Sequence, residues 1–433
     1  MLCAALDGIT AYLFYEEDEK MPILLEEQLN YPLPAMHKVR QSFARPRLDD
    51  IKAQIEQEIT KKEIAGKIKP GAKVAVAVGS RGIKNLEKIV KEVIVQIKKL
   101  GGEPFIVSAM GSHGGGTPEG QREVLAAYGI TEKNMGVEVV TSVDVTHIGK
   151  TSGGINVYFD SVALGADLVV PINRVKLHTD FVGEIQSGIC KMLVIGLGNQ
   201  VGCTSVHEAD FDNFADILIE AAQMIMGRAH VGFGVAILEN AYDETAMIEA
   251  IPAERIVERE KELVKIAKGN MPTLMIPDID VLIVEEIGKN ISGSGFDPNI
   301  LGKSFLLKKF VLPVPNIKRM VLFDVTDESH GNAVGVGIFD VITRKVRNKL
   351  DLPLMYANAL AVKSPEGSKI PITAESEEEA LRFAIQLARG ADRDRLKIVK
   401  IKNTLELGII EVSDALLDHV ASHERLTLVD PVS

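Results

Sequence analysis

Tryptophan is absent from this 433-residue chain, and aromatic residues make up only 5% of it. Proteins that stack bases or sugars draw their binding energy from aromatic faces, so a stacking platform is disfavoured. A basic excess is also lacking: 60 Asp and Glu outnumber 49 Lys and Arg, for a formal charge of -11. A phosphate-binding surface needs clustered Lys and Arg, which argues against nucleic acid as a partner. The three cysteines, Cys3, Cys190 and Cys203, form neither a CxxC pair nor an even framework. A zinc ribbon and a disulfide scaffold are thereby unsupported, and the reducing cytoplasm is the simplest compartment. Long apolar runs are missing too. The N-terminal MLCAALDGITAYLFY is broken by Asp7, lacks a basic flank and is followed by EEDE, so it predicts neither a signal peptide nor a membrane span. Residues 1–20 read either as an extension ahead of a start at Met21 or as a loosely attached arm. There is no repeat of fixed period, no low-complexity tract, no G-x-x-x-x-G-K-[ST] loop and no HExxH.

What is present reads as a large α/β protein. Hydrophobic residues at 46% and charged residues at 25% are ordinary for a globular chain, and the length exceeds what one core organises. Asp49 to Ile64 reads as an amphipathic helix, and KVAVAVGSRG (Lys73 to Gly82) as a buried strand ending in a glycine turn. Asn85 to Leu100 has helical period and stops at Gly101 and Gly102. PFIVSAMGSHGGG repeats the passage from strand to glycine loop, and Pro118 to Tyr128 follows as a helix. Further strands are predicted at VEVVTSV, INVYFDS, DLVVPINRV and VGFGVAILEN, with helices at Asp212 to Met226 and Ile251 to Lys268. NMPTLMIPDID reads as a crossing into a second unit that begins at VLIVEEIG, passes through RMVLFDVTDES and ends in helices at Ser376 to Arg389 and Asp414 to His419. Alternation of this kind predicts two α/β domains with parallel or mixed sheets and a cleft between them. The expected division is 1–270, completed by about 410–433, and 276–409. Ligands of such sheets lie beyond the carboxyl ends of the strands, which places Ser80, Arg81 and His113 on the functional edge.

The stretch Pro171 to Asp210, PINRVKLHTDFVGEIQSGICKMLVIGLGNQVGCTSVHEAD, carries two histidines and a lysine among glycines with no ordinary helical or strand period. His113 and His178 each follow a strand, where an imidazole can move protons at neutral pH or can merely brace a turn. Asp180 and Glu184 could orient His178, join a hard metal site or simply be solvated. Lys191 lies among small and apolar neighbours, and a desolvated lysine can act as a nucleophile. Gly183, Gly188, Gly196, Gly198 and Gly202 offer a bed for a flat ligand. His207 is expected just before, or in the first turn of, the helix that includes Phe211 to Met226. It is a candidate metal ligand, but one histidine holds a metal poorly, so other donors would have to come from outside the side chains. The remaining histidines have no comparable glycine setting.

At these residues the chain resembles the nickel-dependent lactate racemase family. The resemblance implies a nickel-pincer nucleotide, derived from nicotinate, attached to a lysine as a thioamide, its metal completed by one histidine. By the SG-x-x-K pattern, Ser187 to Lys191, and the spacing that follows, it implies Lys191 as the attachment point, with Ser187 beside the cofactor, and His207 as the nickel ligand. His113 and His178 match the paired acid/base histidines, and Arg81 the clamp on the substrate carboxylate. The implied partners are a 2-hydroxy acid substrate and the enzymes that synthesise the cofactor. The chain departs from the family in three places. More residues separate His178 from Lys191, Val78 replaces an acidic residue before the arginine, and GKNISGSGFDPNILGK replaces the usual second-domain motif. Within that last segment Lys289, Asn290, Asp297, Asn299 and Lys303 are the candidate cofactor contacts. The expected activity is racemisation or epimerisation of a 2-hydroxy acid, lactate-like or larger. Two alternatives stand beside it: a divalent-metal lyase or dehydratase using Asp180, Glu184 and His207, and a non-catalytic binding protein for a nucleotide or an organic acid.

Overall fold

The computed structural model describes Leu29 and residues 31–80, 82–209 and 211–429. The expectations for residues 1–20 and for Arg81 lie outside the described residues.

The first described strand is β1 (Met36–Gln41), followed by α1 (Ile51–Ile59), whose N-cap Asp50 accepts from the Lys52 and Ala53 amides. There follow β2 (Lys73–Val78), α2 (Leu86–Lys99), β3 (Glu103–Ser108), α3 (Pro118–Ala127) and the short β4 (Val139–Val140). Helix α2 forms because Leu86, Ile89, Val90, Val93, Ile94 and Ile97 recur at helical spacing and are all buried on one face. Each such side chain contributes about 1.5–3 kcal/mol when removed from water. A two-stranded ribbon, β5 (Val145–Lys150) with β6 (Asn156–Asp160), stands apart, before β7 (Leu168–Arg174) returns to the main sheet. The helical run α4 (Ile189–Lys191), α5 (Asn199–His207) and α6 (Phe214–Met226) leads to β8 (Phe233–Glu239), β9 (Thr245–Pro252) and α7 (Ile256–Asn270). The first sheet has the order β4-β3-β2-β7-β8-β9, parallel except for β9. Strand β9 takes the first two residues of the helix expected from Ile251; Pro252 ends the strand and α7 starts four residues later.

The second sheet contains β10 (Asp278–Ile287), β11 (Asn316–Val325), β12 (Val341–Thr343) and β13 (Ile372–Ala374). After α8 (Glu377–Leu387) come β14 (Ile398–Ile401), β15 (Ile409–Ser413) and β16 (Leu426–Leu428). Its order is β13-β12-β11-β10-β14-β15-β1-β16. The five strands from β13 to β14 are parallel, and β15, β1 and β16 add antiparallel to them. This corrects the expectation that about 410–433 completes the first domain. Both chain ends instead extend the second sheet, because β1 pairs with β15 from Met36↔Ser413 to Arg40↔Ile409 and also takes β16 on its other side. Buried Gln41 anchors that strand to the crossing segment, donating to the carbonyls of Thr273 and Leu407 and accepting from the Met275 amide. No single described helix is long and apolar enough to cross a membrane.

Candidate active site

In the first sheet β2 and β3 run in register to Val78↔Ser108, while β7 lies on the other side of β2 with Val78↔Ile172. The loops leaving these three strands therefore emerge together on the carboxyl edge. The loop after β2 brings Ser80 Oγ within 2.5 Å of His113 Nδ1, and Tyr128 Oη donates to the Ser80 carbonyl at 3.0 Å. His113 precedes Gly114, whose φ is +66° and whose Cβ, if present, would lie 2.6 Å from the Gln121 backbone nitrogen. Only glycine lets this loop fold down on α3 at that point. Buried Gln121 closes it from below, accepting from Ser108 Oγ at 2.7 Å. The imidazole of His113 makes no helix cap. Its ring is oriented by the serine of the neighbouring strand.

Beyond β7 the chain makes a backbone bridge between Lys176 and Ser187, with amide-to-carbonyl distances of 2.9 and 3.1 Å, and the segment between them bulges out with His178 on it. The His178 ring stacks on buried Phe181 at 4.4 Å between centroids, and its amide donates to Gln186 Oε1 at 2.7 Å. Nδ1 receives the Asp180 backbone N–H at 3.1 Å, and Nε2 lies 2.6 Å from Lys191 Nζ. Of the two carboxylates expected near this imidazole, Asp180 stays, accepting from Thr179 Oγ1 and Ser294 Oγ. Glu184 turns away to Lys261 at 3.1 Å and is 69% exposed. The pair does not converge on a metal, so the lyase or dehydratase alternative loses its ligand set.

The lysine ends α4, which continues as a π-helical turn, Met192–Gly196. All five residues of that turn are buried, which is why the segment shows no amphipathic period; π turns recur at functional sites. The glycines expected to form a ligand bed serve packing instead. A Cβ on Gly196 would stand 2.7 Å from the Ala109 carbonyl, and one on Gly188 would stand 2.5 Å from Glu260 Oε1. Glu260, on α7, is a residue that sequence reasoning missed. It is fully buried, its Oε2 accepts the Cys190 amide at 3.0 Å, and its Oε1 has no hydrogen-bond partner among the described residues. Burial pushes its carboxyl up to about 7, against the opposing pull of the Cys190 and Ile189 amides. The only hint in sequence is a glutamate on the apolar face of a helix. Asn173 Nδ2 donates to the Gly188 carbonyl at 2.7 Å, so the lysine turn is held from two sides.

His207 ends α5 and does not begin the next helix, because Glu208 and Ala209 close one helical run before the turn at Phe211–Asn213 opens another. Its Nδ1 lies 2.7 Å from the Cys203 carbonyl one turn back and 3.5 Å from Cys203 Sγ, while that sulfur is 3.9 Å from Ser112 Oγ. Burial disfavours the imidazolium, but the bonds to Cys203 outweigh it and raise the His207 pKa. Burial likewise raises the thiol, and the bonds from His207 and Ser112 bring Cys203 below its ordinary value. His207 also meets Phe214 at 5.3 Å, Phe214 meets Phe181 at 4.8 Å, and Phe181 carries His178. An aromatic ladder thus ties the two imidazoles together. Ser112 brings the His113 loop against the same helix.

Residues 22–216 match the model of the lactate racemase N-terminal domain, and they include His113, His178, Lys191 and His207. Over that stretch, somewhat less than half of the chain, the sequence is similar to the lactate racemase N-terminal domain. A solved relative in fold is the lactate racemase apoprotein from Thermoanaerobacterium thermosaccharolyticum, with a TM-score of 0.53 over 86% of this chain and 99% of that one. Identity is 14%, so that likeness is one of fold. No curated protein sequence matches the chain.

The second sheet contributes unevenly to the site. Asn299 Nδ2 donates to the His178 carbonyl at 3.0 Å, and Ser294 reaches Asp180. Asp297 caps the turn that carries Asn299; burial raises its pKa against the opposing charge of Lys176. Lys289 donates to the Gly293 carbonyl at 2.6 Å and so braces its own loop. Asn290 accepts from Thr326 and lines a cavity of about 430 Å³ with Asp324, Lys349 and Asn403. Lys303 has Asp340 and Arg319 as its charged neighbours, and burial lowers its pKa. Those neighbours sit where β11 and β12 begin, at the far end of the strands from the loop holding Asn299. Among the described residues no three His, Cys, Asp or Glu side chains gather to hold a metal ion.

Proposed function

We propose that the chain racemises or epimerises a lactate-like 2-hydroxy acid, with a nickel-pincer nucleotide on Lys191 and His207 as its metal ligand. The meeting of Lys191 with His178 at 2.6 Å, joined through the Phe181–Phe214 ladder to His207, carries this reading. The donor set fits the group. Metal-bound histidines commonly donate their other ring N–H to a carbonyl, and the His207 Nδ1–Cys203 carbonyl bond leaves the Nε2 lone pair for a metal. Imidazole suits nickel, and donors absent from the side chains would come from the organic group.

When bound, such a group supplies a hydride acceptor for the α-carbon of the substrate. The protein's own residues then handle the protons. His113 and His178 serve one face each, since the two enantiomers present their hydroxyls in mirror-related positions. Ser80 holds His113 through Nδ1, which turns Nε2 to the substrate. Arg81 pairs with the substrate carboxylate in a bidentate fork. Asn299 and Ser294 steady the His178 loop. The setting is the cytoplasm, and the partners are the enzymes that synthesise the cofactor. Peptide mass spectrometry of protein produced with those enzymes tests the reading: a Lys191 adduct is expected, and an unmodified Lys191 would overturn it.

A further inference from the structure

We propose that a cavity at the crossing between the two sheets binds a small organic anion with an apolar tail, its head a carboxylate or a phosphate. This site is independent of the cofactor proposed for Lys191.

The chain passes between its two sheets at residues 42–50 and again at 271–277, and the two crossings lie side by side. Gln41 ties them together, donating to the Thr273 carbonyl at 3.3 Å and accepting from the Met275 amide at 2.8 Å. The Ser42 amide donates to the Arg425 carbonyl at 2.9 Å. Between these segments and the end of α7 lies a cavity of about 330 Å³, within the range of small-molecule sites. Its walls come from both halves of the molecule: Lys265 and Lys268 from α7, Leu312 from the loop before β11, and Arg425 from the residue before β16. About 12 Å of helix separates Lys268 from Glu260, and the cavity shares no lining residue with the His178–Lys191 site.

Charge is sorted in this lining. Of its twelve residues three are cationic, Lys265, Lys268 and Arg425, and none is acidic, in a chain where acids outnumber bases 60 to 49. Lys265 and Lys268 stand one turn apart on α7 and share a face. The other cations of that helix are paired, Arg259 with Glu249 and Glu262, and Lys261 with Glu184 and Glu258. Neither Lys265 nor Lys268 forms an ion pair among the described residues. Arg425 shares its charge with exposed Glu424 at 3.5 Å. The carboxyl end of α7 brings a partial charge of about −0.5, which the two lysines exceed. Below these exposed cations the wall is apolar: Phe43, Met271 and Met275 are half-buried against the core, and Leu312 is buried. Phe43 is fixed by an edge contact with Tyr242 at 6.0 Å and by its amide, which donates to Tyr242 Oη at 3.0 Å. The methionines are flexible and adapt to the shape of a tail. Cations above an apolar floor match an amphipathic anion, and they repel an amine of the same shape.

Calorimetric titration of the full chain with octanoate and with octyl phosphate tests the site. At least one of them should bind saturably with a Kd of about 1 mM or below, and which one binds names the head group. Saturable binding of neither, or binding of octanol or octylamine as tight as that of the anions, overturns the proposal. Lys265→Glu combined with Lys268→Glu should weaken the bound anion at least about tenfold, because two attractions become repulsions. An unchanged Kd in that variant, shown folded by its urea midpoint, places the anion elsewhere and overturns the proposal. In the parent chain Kd should fall along the series of tail lengths from four to eight carbons, by up to about fourfold per methylene. A flat series removes the apolar wall from the site and overturns the proposal whatever the variant does.

Discussion

The two sheets offer the same geometric opportunity, a row of parallel strands whose carboxyl ends face a set of loops, and they use it differently. Around the cavity at the edge of the second sheet, lysines meet carboxylates. Lys349 pairs with Asp324 and Asp327 at 2.9 Å each and donates to the Val325 carbonyl, while Lys402 pairs with Glu406. Although burial alone would raise the Asp324 carboxyl, hydrogen bonds from Lys345 and Lys349 hold it below its ordinary value. At the edge of the first sheet Lys191 faces an imidazole, His113 faces a serine hydroxyl and His207 faces a thiol. Opposite charges brought together stay ionised and inert near neutral pH. Groups paired with neutral or weakly basic neighbours can exchange a proton there, as the proposed reaction requires.

The sharpest way to break this contrast is at Lys191 itself. Lys191→Ala should abolish both adduct and turnover, whereas His113→Ala should keep the adduct and lose turnover by about 10²–10⁴-fold, the usual worth of a positioned acid or base. Chiral chromatography of a 2-hydroxy acid reads the turnover, and activity retained in His113→Ala would remove that residue from the reaction. Next in size is Glu260. Its carboxyl is raised from 4.5 to about 7 in the folded chain, so the native state holds this proton more tightly than the unfolded one. The resulting stability is fully present below about pH 4.5 and falls as pH rises through 7, by about 3 kcal/mol. Urea midpoints of Glu260→Gln against the parent at pH 5 and pH 8 should show the variant relatively more stable at the higher pH. Equal differences at both would mean that the carboxyl is not perturbed.

A smaller effect is expected at Asn299, the second sheet's bond to the His178 carbonyl. Asn299→Ala should lower kcat/KM by about fivefold, as loss of one hydrogen bond of about 1 kcal/mol would. No change would show that the second sheet does not steady the catalytic loop. The smallest effect belongs to Lys349→Met, which should cost within about 1 kcal/mol and leave turnover untouched, because Asp327 is solvated and Asp324 keeps Lys345 as a partner. A collapse of turnover in that variant would erase the distinction between the two edges.

The alternation of apolar runs with glycine turns determined, from sequence alone, that β2, β3 and β7 would be parallel strands ending near Ser80, His113 and His178. Strand period and turn chemistry are local properties, written within a few residues of each other. The type of residue at Lys191 and His207 was legible for the same reason, since a lysine among apolar neighbours and a histidine near glycines stand out in any frame. What only the tertiary structure decided depends on residues far apart in the chain. Glu260 lies 70 positions from the Cys190 amide it receives, and Asn299 lies 121 from His178. Strands β1 and β15 pair across 369 to 377 positions, from Arg40↔Ile409 to Met36↔Ser413, to build an edge of the second sheet. The glycines looked like a bed for a ligand because sequence does not show which backbone atoms approach them. Ala109 and Glu260 already fill that space, and the packing brings His178 and Lys191 face to face, the pair on which the proposed function rests.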